Sequence, residues 1–206
     1  PQSGFELKSS KLRLSKVGEV KIKLHRPIEG QIKTLTVRHN ALGNWYAYFV
    51  CEIEPITLPL TTTIVGVDMG LESFATLSTG EKIKNPHFFR KDEKALAKAQ
   101  WNKHKRAAQH IHQRIVNRRK DFAHKLSRRL VNEYQFIAFE DLNVSRMVKN
   151  HCLAKSIADA SWNQLIAYTT YKAAWAGRRV TLVDPRNTSK MCSRCGALVN
   201  KDLSVR

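Results

Sequence analysis

A chain of 206 residues with 42% hydrophobic content and a mean hydropathy of -0.41 can bury a real core and fill one large or two small globular domains. Its 36 Lys/Arg against 17 Asp/Glu leave a formal net charge of +19, which attracts polyanions, nucleic acid ahead of an acidic membrane surface. No apolar run is long enough to span a bilayer, no signal-peptide pattern opens the chain, and Cys51, Cys152, Cys192 and Cys195 are too few and too unevenly spaced for a disulfide scaffold.

Residues 5–54 read as antiparallel β structure. Alternating stretches at Lys11–Leu14, Glu19–Leu24, Gln31–Arg38 and Trp45–Glu54 are separated by polar or glycine-bearing turns. In the last of them Trp45, Ala47, Phe49, Cys51 and Ile53 share one face at period two. The preceding Asn40-Ala-Leu-Gly-Asn44 suits a hairpin loop. A small barrel or curled sheet over residues 1–60 is expected, with a modest local excess of nine basic over five acidic residues. Pro55 and Pro59 make 55–63 the expected linker to a second domain over 61–206.

The pattern then changes. Thr63–Asp68 is a continuous apolar run bounded by Gly70, as expected of a strand buried on both faces, with Ser73–Ser78 and Glu81–Lys84 as its partners. Residues 88–134 read as a basic helical insertion. Over 90–130 there are fourteen Lys/Arg and three Asp/Glu, so more than half of the excess charge lies in one-fifth of the length. Ile111, Ile115, Phe122, Leu126 and Leu130 supply its packing stripe, and Arg114, Arg118, Lys125 and Arg129 form a second stripe beside it. A charge run is commonly a solvated face. This one barely mixes signs, which favours contact with phosphates. Phe136–Phe139 is a second buried strand, 157–176 a further helix closed by Gly177, and Arg179–Val183 a third strand. The order is that of an α/β domain.

Two carboxylates stand at strand ends, Asp68 in Gly66-Val-Asp-Met-Gly70 and Glu140 in Phe139-Glu-Asp-Leu-Asn143. If those strands are parallel neighbours, the acids meet at their carboxyl ends and can hold Mg²⁺ or Mn²⁺ for phosphodiester cleavage. The bland alternatives are a turn aspartate and an exposed strand end with Asp141 as a helix cap. Cys192-Ser-Arg-Cys195-Gly196 is half of a zinc ribbon, expected over 186–206. A structural Zn²⁺ takes four ligands, so the rest would come from beyond Arg206, from His151 and Cys152, or the loop is unmetallated; the first is favoured. His110-Ile-His112 spells the metal motif of HUH-type single-strand transposases, with Tyr168 and Tyr171 downstream as nucleophiles. That motif works on a strand, whereas helix positions two apart diverge by about 200°, so the surrounding helical rhythm speaks against it.

Taken in order, Gly66-Val-Asp-Met-Gly70, Phe139-Glu-Asp-Leu-Asn143, Ser156-Ile-Ala-Asp-Ala-Ser-Trp162, Tyr171-Lys-Ala-Ala-Trp-Ala-Gly177 and the run from Asp184-Pro to Cys195-Gly196 resemble the TnpB (OrfB) proteins of insertion sequences, RuvC-like nucleases related to the type V CRISPR effectors. The resemblance covers about residues 5–206. It implies a wedge-like β-barrel, then a RuvC/RNase H-like core with a helical insertion and a zinc ribbon. Asp68 and Glu140 would be the first two catalytic acids, and Cys192 and Cys195 the first zinc pair. It further implies a transposase-associated, RNA-guided DNA endonuclease with DNA and a guide RNA as partners, in the bacterial or archaeal cytoplasm near the nucleoid. The family's third acid and second cysteine pair fall after Arg206, so the expectation is an inactive piece of a longer protein. A non-catalytic nucleic-acid-binding protein is the alternative, and an HUH-type transposase the remoter one.

Overall fold

The computed structural model describes residues 4–186 together with Cys195 and Ala197. The chain divides into two compact units, 1–56 and 57–206. In the first, β1 (Phe5–Lys8), β2 (Lys11–Leu14) and β3 (Gly18–Lys21) form an antiparallel meander, with Leu12 as its buried centre. A separate hairpin pairs β4 (Gln31–His39) with β5 (Trp45–Glu52). Its loop forms as the sequence suggests. Asn40 Oδ1 accepts from the N–H groups of Leu42 and Asn44, and Gly43 takes a φ of 88° that a side chain would resist. The expected barrel is therefore two sheets among the described residues, three strands and two strands, without closure between them.

The second unit begins before the linker expected at 55–63 has ended. The Leu58 N–H donates to Ala176 O and the Thr61 N–H to Gln135 Oε1, which bind this stretch to the α/β core. That core is a five-stranded sheet in the order β10-β9-β6-β7-β8. Its strands are β6 (Ile64–Met69), β7 (Ser73–Leu77), β8 (Lys82–Lys84), β9 (Phe136–Glu140) and β10 (Arg179–Val183). β6, β9 and β10 run parallel, and β7 and β8 extend the sheet as an antiparallel meander.

Helix α1 (Phe88–Trp101) and the long α2 (Lys105–Glu133) connect β8 to β9. The short α3 (Val144–Met147), α4 (His151–Ala160) and α5 (Trp162–Ala176) connect β9 to β10. The helical region expected to be continuous over 88–134 breaks at 102–104, where Lys103 adopts φ 55°, and that expected over 157–176 breaks at Ser161, also at φ 55°. Gly177 ends α5 at φ 68°, the left-handed cap that its lack of Cβ allows.

The core lies on one face of the sheet. Val65, Val67 and Met69 of β6 and Ile137 and Phe139 of β9 pack with Leu126, Leu130 and Val131 of α2 and Trp162, Leu165 and Ala173 of α5. Phe74 meets Phe122 edge to face at 4.9 Å. The strand read as buried on both faces is buried on one. Ile64 is exposed, Gly66 half-buried and Asp68 exposed, so the opposite face is uncovered among the described residues.

Among the charged groups buried in the helical layer, two bridge helices from α4 and α5. Asp159 of α4 accepts from the Phe89 N–H through both carboxylate oxygens at 2.9 and 3.0 Å and pairs with Arg119 at 2.8 Å, tying α1, α2 and α4 together. Lys172 of α5 donates to Ser127 Oγ at 2.7 Å and to His124 O at 2.8 Å. Burial, then the nearby Arg128 charge, lower its pKa to about 8 from 10.5.

Asp159→Ala leaves the Arg119 guanidinium without its counter-charge and an open helix end; a stability loss of about 3 kcal/mol is expected in denaturant unfolding. For Lys172 the folded chain binds fewer protons than the unfolded chain between about pH 8 and 10.5, so its contribution to stability rises with pH across that window. Melting curves of Lys172→Met should lack that increment and be more stable relative to the parent at pH 7 than at pH 10.

Candidate active site and basic surface

The parallel pairing of β6 and β9 ends at Val67 and Phe139, so Asp68 and Glu140 are the next residues of that register, and both line one cavity. Asp68 also faces Thr76 across the antiparallel pair with β7, and Glu140 faces Val183 of β10. Thr76, Asp68, Glu140 and Val183 thus form one row across four strands, and all four line a single open cavity of about 340 Å³. Neighbouring strands lie about 4.8 Å apart, so carboxylates in adjacent registers on one face can share an ion. One step back along the strands, Gly66 and Ala138 are paired and form a floor of small side chains. A Cβ added at Gly66 would meet Ser78 only at ordinary contact distance, 3.7 Å, so the floor has room to spare.

The two predicted acids therefore lie on the uncovered face, at the carboxyl ends of parallel strands. Asp68 is exposed and Glu140 half-buried. Their hard oxygen donors suit Mg²⁺ or Mn²⁺. Among the described residues no group of three His, Cys, Asp or Glu is placed to hold a metal ion. Thr76, Ser78, Gly66 and Ala138 complete the cavity and were not singled out from sequence. Period-two alternation on β7 and the smallness of residues 66 and 138 were the available signals.

Cys192 lies outside the described residues, as does most of the expected ribbon over 186–206. Cys195 is exposed and not in a disulfide, and His151 and Cys152 are exposed on α4. His110 and His112 are exposed on the helix α2, and Tyr168 and Tyr171 lie on α5, with Tyr168 stacked on His124 at 4.0 Å; the HUH reading has no strand to stand on.

The second stripe of the insertion is charge-paired. Arg114 donates to both oxygens of the buried Asp92 at 2.6 and 3.3 Å and Arg118 to one of them at 3.1 Å, Lys125 binds Asp121 at 2.7 Å, and Arg129 binds Glu81 at 2.8 Å. Arg90 and Lys155 share Glu93, and their hydrogen bonds, Arg90's first, lower its pKa. Lys91, Lys94, Lys98, Lys103, Lys105, Arg106, Lys120 and Arg128 have no carboxylate partner among the described residues and are exposed.

A profile of the OrfB_IS605 family, described as a probable transposase, matches residues 48–151, a span that contains both Asp68 and Glu140. The chain belongs to that family. A profile of the Cas12f1-like TNB domain matches residues 162–206. A Streptomyces pristinaespiralis protein, provisionally named an RNA-guided DNA endonuclease, is 40% identical over 222 residues, covering 100% of this chain and 55% of the relative. InsQ of Escherichia coli (strain K12), provisionally named in the same way, is 31% identical over 221 residues, covering 93% of this chain and 54% of the relative. The chain spans about half the length of these relatives. Among solved structures, a cryo-EM structure of a Cas12f1-sgRNA-target DNA complex aligns with a TM-score of 0.46 at 16% identity, over 80% of this chain and 45% of that one, a likeness too loose to carry an argument.

Neutralising Asp92 would release two guanidinium charges to solvent. Asp92→Asn is expected to elute from heparin at higher salt than the parent, whereas Asp121→Asn, with one exposed cation to release, should shift elution less.

Proposed function

We propose that this OrfB_IS605 family member supplies the catalytic core of a transposon-encoded, RNA-guided DNA endonuclease working by metal-dependent phosphodiester hydrolysis on a RuvC-like, RNase H-like fold. The observation that carries the reading is the shared row of Asp68 and Glu140 on the uncovered face of a parallel strand pair. Relatives provisionally named RNA-guided DNA endonucleases, one of them 40% identical, support it.

Asp68 and Glu140 would hold Mg²⁺ or Mn²⁺, which in such a site activates a water and steadies the leaving oxygen. The chain's own residues do the rest. Gly66 and Ala138 keep the floor low enough for a sugar-phosphate backbone to approach the acids, and the Thr76 hydroxyl stands in the same row as a hydrogen-bonding group. By the family resemblance such a site takes a third acid as well. Cys192 and Cys195 would hold a Zn²⁺ that ties down the ribbon and takes no part in the chemistry.

DNA and a guide RNA are the proposed partners, drawn by the +19 charge. Arg114, Arg118, Lys125 and Arg129 can still reach phosphates, but each must exchange a carboxylate for one. The unpaired lysines and arginines of the same helices bear no such cost.

Glu140→Gln, assayed in a protein of the relatives' full length, separates this reading from a non-catalytic binder. Target cleavage should fall by at least about 100-fold with nucleic-acid affinity within about two-fold. Undiminished cleavage would refute the assignment, and a parent that binds without ever cleaving would favour the binder.

A further inference from the structure

The α1–α2 hairpin ends in a feature that packing does not explain. Trp101, the last residue of α1, is 87% exposed. Around it Lys98, Lys103, Lys105 and Arg106 are all exposed, with no carboxylate partner among the described residues. Residues 98–106 contain no acid, and the hairpin's acids lie away from the tip, Glu133 at the far end of α2. Asp92 and Glu93 lie back along α1 in ion pairs, and Asp121 is held by Lys125. At about 1.5 Å rise per residue, Lys105 stands roughly 30 Å along α2 from Leu126, which packs on the sheet. The tip is thus an outlying point of the second unit's helical layer.

Its turn is strained and nonetheless closed. Lys103 sits at φ 55°, a conformation that suits glycine or asparagine better, while the N–H groups of Asn102 and His104 donate to Lys98 O and Ala99 O. An indole ring left in water, with four uncompensated cations within five residues of it along the chain, offers what a nucleic-acid strand needs: a flat surface for one base and positive charge for its phosphates. Bases inside a duplex are stacked on one another and do not offer a face to a convex tip. Unpaired bases of RNA loops do, and the exposed Gln100, Asn102 and His104 of the same turn can bond a 2′-hydroxyl.

We infer that the tip of the α1–α2 hairpin binds an unpaired segment of RNA, with Trp101 stacking on a base and Lys98, Lys103, Lys105 and Arg106 holding the flanking phosphates. The inference rests on the nucleic-acid reading above and adds to it a site distinct from the Asp68–Glu140 cavity.

The test uses the whole chain and fluorescence anisotropy with a labelled 20-nucleotide single-stranded RNA, the same sequence as DNA, and a blunt RNA duplex. Trp101→Ala should weaken single-stranded RNA binding about 5- to 100-fold, with Trp101→Phe restoring most of it and duplex binding changed less than about two-fold. Replacing the four cations together by alanine should flatten the slope of log affinity against log salt by about 3. Both alanine variants should keep the parent's melting temperature, because the side chains they shorten are exposed, which separates lost binding from lost folding. Unchanged single-stranded RNA affinity in Trp101→Ala would overturn the site while leaving the nucleic-acid reading intact. Equal losses on the duplex, or a larger loss on DNA than on RNA, would overturn the stacked RNA base. A parent chain that binds none of the three probes at low salt would overturn both.

Discussion

The site depends on the register between β6 and β9. Because Val67 pairs with Phe139, the acids that follow them fall side by side on one face of the sheet. A slip of one residue in either strand would send one carboxylate into the helical layer. That register is held by burial on the other face. Val65, Val67, Ile137 and Phe139 are each 3% exposed or less under α2 and α5, so any shift would expose four apolar side chains at once, at about 1.5–3 kcal/mol each. The helices guarantee the site without touching it.

A few acids, not all of them its own, sort the many cations of the helical insertion into two populations. Asp92 and Asp159 are buried and hold Arg114, Arg118 and Arg119 in fixed positions, which stiffens the packing of α1, α2 and α4. Cations without such partners concentrate toward the hairpin tip, where no acid is near. What sets the fixed arginines apart is that a carboxylate from another helix reaches them.

Much of this was legible in the chain itself. The strands at 64–69, 73–77, 136–140 and 179–183 announce themselves as short apolar runs between glycines and acids, and Gly177 marks the end of α5. What escaped reading was long-range or locally unsignalled. Lys103 and Ser161 both turn left-handed without being glycine, so nothing in composition marks the two helix breaks. The short β1 went unread. The stripe of Arg114, Arg118, Lys125 and Arg129 has the right period, but its partner Asp92 is 22 residues from Arg114 and becomes visible only when α1 folds back on α2. Strand β6 looked doubly buried because its outward positions, Ile64 and Gly66, are apolar or blank.

In the proposed site Asp68 and Glu140 hold one divalent ion together. The most direct measurement is a double-mutant cycle on Mn²⁺ affinity, read by electron paramagnetic resonance, with Asp68→Asn, Glu140→Gln and both. A shared ion requires strong coupling, so that either single change removes nearly all the binding that the double change removes. Additive losses, or the same Mn²⁺ affinity in all four proteins, would contradict it.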